Sequence, residues 1–237
     1  MVKGEYLERL NRFAIAVRVN GKREVAHLPN PGRLLELLSP GRTIILRPAP
    51  KGRKTRWTAV AADLGEFLVS LDSTLPNRAF PLFLSGGIFP ELLGFRIGAK
   101  EPKLGAGRTD FLLIRGQEKV WVEVKSVTLV EEGVALFPDA PTSRGARHLR
   151  ELAKQVYEGD KAFVVFVIQR PDPQRFGPNA AIDPGFAKAF HEALKAGVEF
   201  RGVVCSFDGK ELHPLRVLSQ EALVLPAPCP SLSPALP

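Results

Sequence analysis

Cysteine is scarce, at two residues in 237. Cys205 lies in an apolar, strand-like run and Cys229 in a proline-rich tail, so the two read as free thiols and not as a disulfide framework. Neither belongs to a Cys-x-x-Cys, and His27, His148, His191 and His213 are too widely spaced for a local zinc pair. Long apolar runs are missing as well. The longest aliphatic and aromatic stretch, Phe163–Ile168, is six residues, against about 20 for a helix that crosses a bilayer. The amino end, MVKGEYLERL, has charges where a secretory leader has its apolar segment, so a cytoplasmic protein with no membrane partner is expected. Gly-x-Ser-x-Gly, P-loop and dinucleotide-binding glycine motifs are absent. What remains, 45% hydrophobic and 24% charged residues, is the composition of a globular protein long enough for one to two domains.

Charge is present and unevenly placed. The net +8 points to an anionic partner such as nucleic acid. Residues 1–83 hold 14 Lys and Arg against 7 Asp and Glu, a net +7, which leaves +1 for the rest. Within that basic part, Arg42, Arg47, Lys51, Arg53, Lys54 and Arg56 occur without one acidic residue between them, and Trp57 adjoins. A cationic hairpin beside an aromatic ring suits tracking phosphates and stacking bases; a solvated sheet edge is the alternative.

The same part reads as five short strands. Phe13, Ile15, Val17 and Val19 alternate with polar and small residues over Asn11–Val19. Asn20-Gly21 favours a two-residue turn into a returning strand, Lys22–Leu28. PNPGRLLELL follows as a short helix-like piece, and Arg42–Arg47, Thr55–Ala62 and Glu66–Leu71 complete the set. Five strands with a small insert predict an OB-fold barrel over residues 1–83. From there to residue 225 the pattern is α/β with a mixed sheet: helix Ala79–Leu93, strands Arg108–Ile114 and Lys119–Val127, helix Ala146–Glu158, an apolar strand Phe163–Ile168, helix Gly185–Ala196 and strand Val198–Phe207. Residues 226–237 are Pro-rich and expected to be disordered.

The chemistry concentrates in Gly107-Arg108-Thr109-Asp110-Phe111 and Val122-Glu123-Val124-Lys125. Strand alternation puts Glu123 and Lys125 on one face and the two valines on the other. If Gly116-Gln117 is the turn, Arg115 pairs with Glu118 and Asp110 falls opposite Glu123, with Cβ atoms about 5 Å apart. Like charges so placed repel, and a divalent cation between them removes the conflict. Carboxylates are the hard ligands that Mg²⁺ or Mn²⁺ prefer. Lys125 is then placed to orient a metal-bound water and stabilise charge on a phosphate. An Asp followed across a hairpin by Glu-x-Lys is the layout of the PD-(D/E)xK nucleases; a solvated face with a Glu–Lys ion pair is the alternative. Glu91, on the preceding helix, is a further candidate metal ligand. Gln169, at the end of the apolar strand, occupies a position where α/β proteins place functional groups. Arg144, Arg147 and His148 lie near a helix start and are candidate phosphate contacts.

AHLPNPGRLLELL (Ala26–Leu38), RTDF (Arg108–Phe111), VEVKSVTL (Val122–Leu129), ALFPDAPTSRGARHLREL (Ala135–Leu152) and FVIQR (Phe166–Arg170) closely resemble the sugar fermentation stimulation protein family, SfsA, over about residues 10–215. The resemblance implies an OB-fold domain joined to a restriction-endonuclease-like, PD-(D/E)xK domain, with Asp110, Glu123 and Lys125 as the nuclease-like motif and Glu91 as an addition. It also implies DNA binding and a role in regulating sugar (maltose) metabolism. Gly107 stands where the family pattern leads one to expect serine. Three functions remain in view: a DNA-binding regulator, a Mg²⁺- or Mn²⁺-dependent DNA phosphodiesterase, and an oligosaccharide-binding barrel, the last disfavoured by the excess of Lys and Arg over aromatic residues.

Overall fold

In the computed structural model, which describes residues 1–226, the charged amino end is a strand, β1 (Val2–Asn11). Its pattern does not reveal it, because bulges between Tyr6 and Glu8 and between Arg9 and Asn11 break the two-residue alternation. β1 pairs with β2 (Ala14–Val19) and β4 (Thr43–Pro48), β2 with β3 (Lys22–His27), and β4 with β5 (Trp57–Asp63). A parallel contact, Ala26 to Trp57 and His27 to Thr58, closes the five strands into a barrel; β6 (Leu68–Ser70) extends it from β5. Asn20 and Gly21 both have positive φ, 48° and 75°, as a two-residue hairpin turn requires.

PNPGRLLELL is not helical. Leu34 takes a left-handed φ of 54°, a conformation no α-helical residue has, and the segment turns on itself. This drives Leu34, Leu37 and Leu38 into the barrel core beside Ile15, Val17 and Leu46, while Leu35 stays 73% exposed.

The second unit is built on a six-stranded sheet. After α1 (Leu75–Ser85) come β7 (Arg96–Lys100), β8 (Lys103–Leu104), β9 (Gly107–Arg108), β10 (Phe111–Arg115), β11 (Glu118–Val127), β12 (Val130–Glu131), β13 (Val134–Phe137), α2 (Ser143–Tyr157), β14 (Lys161–Ile168), β15 (Arg175–Pro178), α3 (Pro184–Lys195), β16 (Glu199–Phe207) and β17 (Leu212–Leu218). The main sheet runs β17-β16-β14-β11-β10-β7; β11, β14 and β16 are parallel, and the outer strands antiparallel. β14 is buried along nearly its whole length, as its unbroken apolar run predicts. β7, β12, β13, β15 and β17 carry too little periodicity to be read locally: they are short, or, as in β17 with Pro214, interrupted.

The expected helix Ala79–Leu93 starts earlier and ends at Ser85, where Gly86 and Gly87 stop it; Pro90–Leu92 is a separate 3-10 turn. The expected domain border at 83–84 therefore falls within α1, whose Phe80 and Phe83 pack with Val122, Val124 and Phe163 of the second sheet. Ile45, Val60 and Ala61 of the barrel join that same core, so the two units share buried apolar surface. The opposite face of the sheet is covered by α2 and α3 through Leu149, Leu152, Phe186 and Phe190. Among the described residues, no helix is long and apolar enough to cross a membrane. Cys205 is buried and free; Cys229 and the tail expected to be disordered, from residue 227 on, lie outside the described residues.

Leu37→Ala is expected to lower unfolding free energy by about 2–5 kcal/mol in a urea titration, since it empties a buried site. Leu35→Ala, two residues away and exposed, is expected to change it by less than about 0.5 kcal/mol.

Candidate functional site

The β10–β11 ladder has the register inferred from the turn: Phe111 faces Val122 and Arg115 faces Glu118. Asp110, just before β10, thus continues the ladder toward Glu123. Residues Val120, Val122 and Val124 of β11 enter the α1-side core; Trp121, Glu123, Lys125 and Val127 face the α2 side. Glu123 and Lys125 are nevertheless buried, 4% and 8% exposed, so a solvated strand face is ruled out. An isolated buried carboxylate costs several kcal/mol, and this one is surrounded. Lys125 Nζ donates to Glu123 Oε1 at 2.6 Å. His148 Nδ1 meets the same oxygen. Thr109 Oγ1 lies 3.1 Å from Oε2.

His148 reaches Glu123 because α2 is fixed at its start. Thr142 caps the helix by accepting from Gly145 N at 3.0 Å, and its own N–H donates to Asp183 at 2.7 Å, the residue that caps α3. Arg144 Nε donates to His148 Nε2 at 3.3 Å. Nε2 is therefore an acceptor, and the hydrogen sits on Nδ1, aimed at Glu123. His148 is not the surface phosphate contact expected from sequence; it is 5% exposed and orients a carboxylate.

Asp110 accepts from Asn77 Nδ2 on α1 at 2.7 Å and from Val124 N at 2.7 Å. The two carboxylates are driven apart electrostatically. Burial and then the Glu123 charge push Asp110 up to about 6. Burial also opposes ionisation of Glu123, but Lys125 and His148 outweigh it and hold the group down at about 2. That repulsion is a property a divalent cation would remove. Asp110 Oδ1, Asp110 Oδ2 and Glu123 Oε2 each accept from one donor, which leaves a lone pair on each, and among the described residues no third His, Cys, Asp or Glu completes a protein-only cage. Two carboxylates plus water and phosphate oxygens is the donor set that suits Mg²⁺, so the residues present fit such an ion, held by Asp110 and Glu123.

The other expected site residues are dispersed. Glu91 pairs with Arg201 at 2.6 Å. Arg201 is level with Val165, on the α1 face, so the sheet itself separates Glu91 from Glu123 and it is no ligand here. Gln169 is fully buried and donates to Ser126 Oγ at 2.8 Å; strand alternation puts both on that same α1 side, away from the carboxylates. Trp57 is in the barrel core, with the Arg56 guanidinium 5.4 Å from its ring centroid, which removes it as a stacking platform. Arg42 is half-buried, whereas Arg47, Lys51, Arg53, Lys54 and Arg56 are exposed, Arg56 pairing with Glu24. Arg144 and Arg147 line a concavity of about 410 Å³ with Lys103, Arg108 and His148. Lys103 carries no motif that singles it out, and neither does Asn77; Arg108 and Thr109 lie inside RTDF, which by itself assigns them no role.

The effect of Asp110→Asn on stability is expected to depend on pH. A carboxyl whose folded value is raised from 3.8 to about 6 favours the folded state below pH 4, and that contribution is lost as pH rises through 6. In urea unfolding with EDTA, the variant is expected to exceed wild type by about 1–2 kcal/mol at pH 8 and to lose that advantage at pH 4.

A family model described as "Sugar fermentation stimulation protein RE domain" matches residues 74–211, and one described as "SfsA N-terminal OB domain" matches residues 7–71. Two curated relatives, both named sugar fermentation stimulation protein homolog, are similar over most of their length. The one from Desulforamulus reducens is 42% identical over 205 residues, 86% of each chain. The one from Moorella thermoacetica is 45% identical over 211 residues, 88% of this chain and 91% of its own. The solved structure described as Pyrococcus furiosus SfsA in complex with Ca²⁺ matches with a TM-score of 0.84 at 34% identity, covering 92% of this chain and 94% of that one.

Proposed function

Because this chain belongs to the sugar fermentation stimulation protein family, we propose that it binds DNA and cleaves its phosphodiester bonds with Mg²⁺ or Mn²⁺ held by Asp110 and Glu123. The observation that carries this reading is the buried group itself: Glu123 and Lys125 on one sheet face, 2.6 Å apart, with Asp110 bonded to the Val124 amide between them. A buried ion pair is a poor way to stabilise a sheet, but it is what a phosphate-hydrolysing site needs. The Ca²⁺ complex of the Pyrococcus furiosus relative supports a hard divalent ion at such a site.

When bound, the ion supplies Lewis acidity toward a phosphoryl oxygen and lowers the pKa of a water ligand. The chain's own residues do the rest. His148 and Thr109 hold Glu123 in one orientation, Asn77 and the Val124 amide hold Asp110, and both carboxylates are thereby pre-positioned. Lys125 brings a fixed positive charge to where negative charge grows on the phosphate as water attacks phosphorus and the ester oxygen leaves. The concavity of Lys103, Arg108, Arg144 and Arg147 and the exposed arginines and lysines of the β4–β5 loop give the polyanion its footing. A purely DNA-binding regulator of sugar metabolism rests on those basic surfaces alone and assigns no work to the buried pair. An oligosaccharide has no charge to match them.

Of labelled single-stranded, duplex and branched DNA incubated with Mn²⁺, at least one is expected to be cut by wild type, and EDTA is expected to stop it. Asp110→Ala and Lys125→Ala are each expected to slow cleavage by about 10²-fold or more while binding persists. Binding without cleavage of any substrate leaves the regulator reading; equal cleavage by Asp110→Ala removes the site. Separately, Arg108→Ala with Arg147→Ala is expected to reduce the log–log salt slope of DNA binding by about 1–2.

A further inference from the structure

We infer that the barrel delivers a single unpaired DNA strand to the carboxylate site along one continuous track, with Phe13 as the platform on which a base stacks. This deepens, and rests on, the DNA-cleaving reading above by naming the form of the substrate.

Two concavities meet in this protein. One, of about 390 Å³, lies on the barrel between the β1–β2 turn and the β4–β5 loop, and its walls include Phe13, His27, Pro31, Arg47, Arg53 and Ser73. The other, of about 250 Å³, lies between barrel and sheet, and its walls include Arg12, Pro31, Ser73, Lys125, Thr128 and Asp139. Pro31 and Ser73 belong to both, so the spaces adjoin, and the second ends on the lysine of the carboxylate site.

Phe13 is the feature with no structural explanation. The residue is 48% exposed, and with Tyr157 it is one of two exposed aromatic residues among those described. Yet its backbone is anchored: Phe13 N donates to Asn11 Oδ1 at 2.9 Å, its carbonyl accepts from Leu28 N at 2.8 Å, and His27 Nδ1 lies 3.2 Å from the same carbonyl. A rigid turn thus holds an apolar ring out in water, with the Arg12 guanidinium 5.6 Å from its centroid and Arg47 and Arg53 in the same concavity. Exposed aromatic plus cations is the chemistry of single-strand binding, where each base offers a π-face and the backbone a charge. A paired base inside a duplex has no free face to offer, and a space of this size takes a small ligand and not a double helix.

The acidic groups on the walls are already engaged. Asp72 pairs with Arg78 at 2.8 Å, and Asp139 accepts from Leu34 N at 3.2 Å. The shared wall is also stiff. Arg9 donates to the carbonyls of Asn30, Gly32 and Arg33 in the loop and of Arg12 next to Phe13, tying platform and wall together. Gly32 packs so tightly on Asp139 that a Cβ there would overlap its carboxylate, which fixes the loop against the sheet domain.

The test compares anisotropy titrations of a labelled 12-nucleotide oligo(dT) and a duplex of equal length, in EDTA. Phe13→Ala is expected to weaken the single strand about tenfold, the lower range of one base–aromatic stack, and the duplex less than twofold. Phe13→Trp is expected to keep single-strand affinity, and its added indole fluorescence to be quenched by the oligonucleotide. Equal losses for both DNAs, no loss for either, or an unquenched indole overturns the track. If wild type binds no DNA, the cleavage reading falls with it; if wild type cuts DNA while Phe13→Ala binds single strands normally, only the track falls.

Discussion

A buried, ionised Glu123 is the constraint around which the second half of this protein is arranged. Its carboxylate is taken out of water at a cost of several kcal/mol, and every neighbour can be read as a response: Lys125 two residues along the strand, His148 from α2, Thr109 from the segment before β10. The demand reaches outward. His148 serves only if α2 is set at one height on the sheet, which the linked caps at Thr142 and Asp183 ensure, and only in one tautomer, which Arg144 selects. The same charge lifts Asp110, so the geometry that settles one carboxylate unsettles the other and creates an appetite for a cation.

The barrel is joined to this site by packing rather than by a linker alone. Ile45, Val60 and Ala61 share a core with α1 and the sheet, and the loop around Gly32 abuts Asp139. Because close-packed interiors transmit displacement instead of absorbing it, the basic surface and the carboxylates are held in fixed relation. The charge map is correspondingly less partitioned than a count along the chain implies. Residues 1–83 hold most of the excess positive charge, yet Lys103, Arg108, Arg144 and Arg147 gather on one concavity of the nearly neutral second domain. Its acidic residues are paired or placed elsewhere.

Legibility followed range. Turns and central strands were legible because their signals are local: Asn20-Gly21, Gly116 at the β10–β11 turn, the apolar run of β14. β1 was not, since its bulges disrupt the period that would announce it. PNPGRLLELL has helical spacing and is a folded loop, because Leu34, Leu37 and Leu38 are drawn together into the barrel interior by a left-handed turn at Leu34. Trp57 beside six arginines and lysines reads as a surface platform, but the parallel Ala26–Trp57 pairing that closes the barrel turns it inward. Phe13, the first apolar residue of an apparent strand pattern, is one of two aromatic residues left exposed among those described.

By itself the sequence determined the hairpin register that opposes Asp110 to Glu123, the face shared with Lys125, and the barrel-then-sheet order, all consequences of two-residue periodicity and turn chemistry. Only the tertiary structure decided which residues attend the carboxylates. His148 instead of Glu91 on Glu123, and Asn77 on Asp110, each depend on which side of a sheet a distant element docks. No period within one segment encodes that choice, because it is made by the summed burial and hydrogen bonding of the elements that meet there.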